Sequence, residues 1–127
     1  MMNKELIIEL EDKYNESREI EERLNFIEQQ IIELQSFEES LRELSLNKEK
    51  NILSPIGKGV YVPAEVKDDK LFVTIGANIF IKKDVKSTEK ILSEQADGLL
   101  KMKSELMKQM EFVQERMQKI ISEIDKN

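Results

Sequence analysis

Two short stretches of this chain carry residue types that reaction chemistry could use. Gly57-Lys58-Gly59 looks like a fragment of a phosphate loop, in which backbone amides and a lysine ammonium cradle phosphate oxygens, and Asp68-Asp69 sets two carboxylates side by side. Neither is completed. The glycine stretch lacks the later Gly-Lys-Ser/Thr, and a hairpin turn accounts for its glycines better; the aspartates are ordinary turn residues. The chain has no histidine and no cysteine. That removes the common general base, thiolate nucleophiles, disulfides and the usual transition-metal ligands together. An enzyme is not expected, nor a metal or other cofactor.

What remains is apolar contact, and two heptad strands must position it. From Leu92 to Ile124 a seam residue recurs at alternating steps of four and three, through Leu99, Leu106, Val113 and Ile120, with Lys103 the single polar member. The same alternation runs from Leu6 through Leu10, Ile20, Leu24, Ile27, Ile31, Leu34 and Leu41 to Ser45, and is interrupted by Lys13, Ser17 and Glu38. A repeat near 3.5 residues holds one stripe against a partner helix, so both ends read as coiled-coil strands, and each can partner the other. If the chain reverses between them, Leu41 falls near Leu92, Leu24 near Met110 and Ser17 near Met117. Gly98, between seam positions, marks a bend or the true start of the last helix.

The segment between the strands differs in kind. Ile52 to Lys83 holds three of the four glycines, both prolines and four of the six valines. Ile56-Gly57-Lys58-Gly59-Val60 and Ile75-Gly76-Ala77-Asn78-Ile79 repeat one layout, and each reads as a hairpin with a three-residue loop whose last residue, Gly59 or Asn78, takes positive φ. Gly57, Gly59, Gly76 and Asn78 are the candidate turn residues, and Lys67-Asp68-Asp69-Lys70 connects the hairpins. The expected fold is mostly α with a small β insert: a long antiparallel two-helix coiled coil with two β-hairpins between the helices. Residues 3–46 form the first helix, 51–84 the hairpins and 86–125 the second helix, all in one domain.

Isolated hairpins leave strand edges and one apolar face uncovered. Ile52, Ile56, Val60, Val62, Leu71, Val73, Ile75, Ile79 and Ile81 are therefore candidates for oligomerisation, with strands of several subunits closing a β-barrel. On the helices, Ile7, Ile8, Tyr14, Met107, Phe112 and Ile121 lie off the seam and cluster at the end away from the insert, which marks an interaction site.

Charge narrows the partners. The net charge is −6, and residues 1–45 hold 13 acids against 5 bases. That acidity repels phosphate backbones, so nucleic acid is not an expected partner, whereas cationic or unfolded protein is. The start of the chain does not read as a signal peptide, and its longest uncharged run, Leu71 to Ile81, is too short for a bilayer. No membrane is expected.

The run Asn51-Ile52-Leu53-Ser54-Pro55-Ile56-Gly57-Lys58-Gly59-Val60-Tyr61-Val62-Pro63-Ala64, followed by Leu71-Phe72-Val73-Thr74-Ile75-Gly76-Ala77-Asn78-Ile79-Phe80-Ile81-Lys82-Lys83-Asp84, resembles prefoldin, specifically the α-class subunit with its two hairpins. The resemblance implies a hexamer of two α-class and four β-class subunits, built on a double β-barrel with coiled-coil tentacles. It further implies an ATP-independent, cytoplasmic co-chaperone, or holdase, that binds unfolded proteins at its tips and delivers them to a group II chaperonin. On that likeness the six distal residues become candidate client contacts. The competing expectation is a coiled-coil adaptor or homomeric scaffold without client holding, for which polar residues would be expected at Ile7, Ile8, Phe112 and Ile121.

Overall fold

A computed structural model describes residues 3–47, 49–68 and 70–126. Of the connection between the hairpins, Asp69 lies outside the described residues, as do Met1 and Met2 at the start. The element order is α1 (Lys4–Leu46), β1 (Asn51–Gly57), β2 (Val60–Glu65), β3 (Leu71–Gly76), β4 (Ile79–Lys83) and α2 (Val85–Asp125). Both helices start on a side-chain cap. The Glu5 amide donates to Asn3 Oδ1 at 3.1 Å, and the Ser87 amide donates to Asp84 Oδ1 at 2.7 Å, so a polar side chain satisfies an amide that the helix leaves open. Hydrogen bonds from the Ser87 backbone and, secondarily, its side chain hold the Asp84 carboxyl below its ordinary value.

The chain divides into two compact units. The first comprises α1 up to Ile32 and α2 from Ala96. Its core is Ile20, Ile27, Leu106 and Val113, with Leu24, Ile31, Leu99, Met110 and Met117 packed against it, and Ile120 is fully buried. These are seam residues, and within this unit every seam position from Leu6 to Ile31 and from Ala96 to Ile124 is buried or half-buried. Covering one such aliphatic side chain is worth roughly 1.5–3 kcal/mol, so the seam dominates the pairing of the helices. Their direction is antiparallel, because Glu9 pairs with Arg116 and Glu28 with Lys103.

The polar interruptions of the seam are accommodated rather than vacant. Lys103 Nζ reaches Glu28 Oε1 at 2.5 Å across the helix pair. Lys13 pairs with Glu16 at 3.1 Å along its own helix, and the Ser17 hydroxyl donates to the Tyr14 carbonyl at 2.7 Å. The two lysine heads thus leave the stripe while their stems stay half-buried. Helix α2 runs through Gly98 without interruption, so that glycine is not the start of the helix.

The second unit spans Glu33–Gln95. Leu41 and Leu92 are its buried apolar residues, and Thr88 is buried with its hydroxyl donating to the Asp84 carbonyl at 3.0 Å. Between the helix segments, β1 pairs antiparallel with β2 and β3 with β4, as two separate two-stranded sheets. Ile52 lies opposite Ala64 and Ser54 opposite Val62; in the second sheet Val73 lies opposite Ile81.

The hairpin loops differ from the three-residue form expected from sequence. Gly57 pairs with Val60 and Gly76 with Ile79, leaving two-residue loops, and the register shifts at Ile56 and Ile75. Both loop residues have positive φ in each case: Lys58 at 50° and Gly59 at 78°, Ala77 at 48° and Asn78 at 61°. A two-residue turn of this kind matches the right-handed twist of the strands, and the bulge beside it absorbs the extra residue. The preceding glycines take φ of 126° at Gly57 and 112° at Gly76, which side-chain-bearing residues rarely adopt.

Candidate functional site

At the distal end of the first unit, Leu10, Glu11, Tyr14, Asn15, Met117 and Ile121 line an open groove of about 480 Å³. Two of the six residues singled out from sequence, Tyr14 and Ile121, meet here, flanked by the half-buried seam residues Leu10 and Met117. Ile8 and Phe112 are exposed on the same unit, Phe112 at 74% of its surface. Ile7 is half-buried, which places it at the margin of the seam. Met107 lines a different groove, with Leu24, Leu100 and Met110.

A bidentate ion pair sits beside the distal groove. Arg116 donates from Nε to Glu9 Oε1 at 2.7 Å and from Nη2 to Oε2 at 2.9 Å. The guanidinium hydrogen bond holds the Glu9 carboxyl below its ordinary value, and the carboxylate in turn raises Arg116. A planar fork on a carboxylate fixes geometry as well as charge, so this pair ties the two helices together directionally near the tip.

In the second unit the hairpins keep most of their apolar side chains in the open. Ile56, Val60, Ile75 and Ile79 are exposed over more than half their surface, and Ile52, Val62 and Ile81 over more than a third. Leu71 and Val73 are half-buried. Tyr61, Phe72 and Phe80 are exposed as well, with Lys82 Nζ 5.8 Å from the Phe72 ring centre and 2.7 Å from Asp68 Oδ2. Two-stranded sheets with so much uncovered apolar surface are marginally stable on their own.

Some exposed apolar residues were not singled out from sequence, among them Phe26, Ile32, Phe37 and Leu100. Phe26, Ile32 and Leu100 adjoin the seam residues Ile27, Ile31 and Leu99, and a one-residue step of about 100° carries a side chain off the stripe. A helical wheel drawn for the flanks as well as the seam would have found them.

Among the described residues no group of three acidic, histidine or cysteine side chains could hold a metal ion, and no helix is long and apolar enough to cross a membrane.

The fold and its surfaces define a coiled-coil protein of the helix, double hairpin, helix class, with apolar side chains exposed on both helices and hairpins. A family profile described as prefoldin subunit matches residues 14–127. The chain is 30% identical over 117 residues to the prefoldin α subunit of Methanococcus vannielii, covering 91% of this chain and 79% of that protein. It is 29% identical over 110 residues to the α subunit of Thermofilum pendens, covering 85% of each. A shorter match, 41% over 58 residues, to the α subunit of Nitrosopumilus maritimus covers 45% of this chain and 40% of that protein. The filamentous prefoldin of Methanocaldococcus jannaschii, solved by cryo-electron microscopy, shares the fold with a TM-score of 0.51 at 21% identity, covering 94% of this chain and 95% of that one. The chain belongs to the prefoldin family and is an α-class subunit. Its role is of the chaperone type rather than enzymatic, and it assembles with other prefoldin subunits.

Proposed function

We propose that this chain is a subunit of an ATP-independent holdase that takes unfolded proteins at its distal tip and passes them to a group II chaperonin in the cytoplasm. The observation that carries the reading is the groove of Leu10, Tyr14, Met117 and Ile121, an open apolar trough with Ile8 and Phe112 exposed on the same unit. Contacts of this kind are individually weak and adaptable, which suits holding many sequences and releasing them. The hairpins serve assembly: Ile52, Ile56, Val60, Val62, Leu71, Val73, Ile75, Ile79 and Ile81 meet strands of other subunits in a β-barrel, in a hexamer with β-class partners. The chain works as one domain, helices holding and hairpins assembling. A second reading has copies of this chain alone joined through the same hairpins; the Methanocaldococcus prefoldin that shares the fold is filamentous.

The test replaces Ile8, Phe112 and Ile121 by serine together and follows aggregation of a chemically denatured enzyme by light scattering, alongside the molar mass of the oligomer. Loss of aggregation suppression with unchanged mass supports the division between tip and hairpins. Full suppression by the variant refutes tip holding and favours the scaffold role, and loss of the oligomer refutes the division itself.

A further inference from the structure

Two more grooves lie on the first unit, nearer its middle than the tip groove. One, of about 680 Å³, is lined by Phe26, Met102 and the charged residues Glu19, Glu22, Arg23 and Glu105. The other, of about 610 Å³, is lined by Leu100, Met107, Lys103, Lys108 and Glu111, among others. They share no lining residue. Each has an exposed apolar floor: Phe26 and Met102 in the first, Leu100 and Met107 in the second, all more than half exposed. The charges differ: three glutamates stand against one arginine on the first, whereas on the second Lys103 is already paired with Glu28 and Lys108 stands beside Glu111.

Their placement matters more than the charge. Leu24 lines the second groove and Phe26 the first, two residues apart on α1; Met102 and Met107 are five apart on α2. At about 100° per residue, each of these pairs is turned about 140–160° around its helix. The grooves therefore occupy opposite flanks of the same stretch of the helix pair, at one level. A copy shifted sideways, without inversion, brings Lys108 of one flank towards the glutamates of the other with both apolar floors in register.

We propose that these grooves are the two halves of one interface, through which the helix pair of one chain packs side by side, in the same direction, on a second copy of this chain. Phe26 and Met102 of one copy pack against Leu100 and Met107 of the next, and Lys108 faces the glutamates of the acidic rim. Such a contact joins unlike faces, so it leaves one flank of each terminal copy open and extends into rows. It is separate from tip holding and from hairpin assembly, because its residues lie outside the distal groove and outside the strands.

The absence of cysteine makes the test clean. Ser104→Cys places a thiol in the Met107 groove and Gln109→Cys one in the Phe26 groove, leaving Phe26, Met102, Leu100 and Met107 in place. Mild oxidation of the full-length double variant should give a reductant-sensitive ladder of dimers and larger products on a denaturing gel, while each single variant gives none above dimer. Adding Phe26→Ser or Glu22→Lys should cut ladder yield by roughly fivefold, and Lys108→Glu should restore it in the Glu22→Lys background, as expected of directly coupled residues. All of the substituted positions are exposed, so helix content by circular dichroism should be unchanged. No ladder, an equal yield of dimer from Gln109→Cys alone, or a ladder indifferent to Phe26→Ser overturns the proposal. So does uptake of a labelled lysine–leucine peptide by the Phe26 groove with no ladder, which assigns the groove to cationic segments of other proteins.

Discussion

Glu9 and Arg116 stand 107 residues apart in the chain and meet as a two-pronged ion pair, with nitrogen–oxygen distances of 2.7 and 2.9 Å. The pair joins the helices where the seam of α1 is weakest, next to Lys13 and Ser17, and where α2 still places fully buried Ile120. An apolar tip that must remain organised while its seam is thin gains from a directional clasp.

The clasp gives the tip a pH dependence of definite sign. The Glu9 carboxyl is held below its ordinary value by the Arg116 hydrogen bond, so its stabilisation is present above the ordinary glutamate value and is lost as pH falls through the lowered one. Amide hydrogen exchange around Leu6–Leu10 and Ile120–Ile124, corrected for intrinsic rates, should stay flat from neutral pH to the ordinary glutamate range and rise below it. Arg116→Ala should raise it already at neutral pH, by roughly three- to tenfold for local opening, and flatten the acid response. Arg116→Lys should fall between, since an ammonium cannot reproduce the fork. An unchanged exchange pattern in Arg116→Ala would remove the clasp from the account of the tip.

Burial separates residues that look equivalent by type. Ile120 is fully buried and Phe112 is 74% exposed, although both are large apolar residues of the same helix. Ile120→Ala should cost about 2–5 kcal/mol in urea unfolding, the usual range for truncating a packed core side chain. Phe112→Ser should change stability by no more than about 0.5 kcal/mol, as surface substitutions do. Equal costs for the two would mean that Phe112 is covered within the assembly.

The heptad seam was legible because an apolar period near 3.5 residues, sustained over many turns, keeps one stripe facing a neighbouring helix, and its strongest stretch, Ile20 to Ile31, is where the core lies. The hairpins were legible from Gly57, Gly59 and Gly76, but the loop length was not. Positive φ at Lys58 and Ala77 is invisible in residue types that usually avoid it, and a one-residue bulge at Ile56 or Ile75 leaves no compositional trace. At the tip, Tyr14 and Ile121 were placed together by heptad register alone, whereas Ile7 and Met107 were not separated from them. Their positions depend on how far each flank turns from the seam, a matter of tens of degrees that sequence spacing resolves poorly.

Gly98 offers a stabilising change. It lies inside α2, and a Cβ built there meets nothing within 4 Å. Alanine relieves the glycine penalty in a helix interior and restricts the unfolded chain, together worth about 0.5–1 kcal/mol. Gly98→Ala should therefore raise the unfolding midpoint without altering oligomer mass. A loss of stability, or of the proposed client holding at unchanged stability, would show that the helix needs a yielding point there.

Val62 tests the proposed barrel. It lies opposite Ser54 in the first hairpin and is 44% exposed in the single chain, so aspartate there meets solvent and leaves the isolated fold intact. In a barrel closed by strands of other subunits the same carboxylate is carried into an apolar interior, where an unpaired charge is unfavourable by several kcal/mol. Val62→Asp should dissociate the assembly, seen as a fall in molar mass by light scattering at unchanged helix content, and Ile75→Asp should do the same from the second hairpin. If the barrel is the assembly element, Phe112→Ser leaves that mass untouched. An undiminished mass in both aspartate variants would place the subunit contacts outside the hairpins and make the flanks of the helix pair the principal seat of assembly.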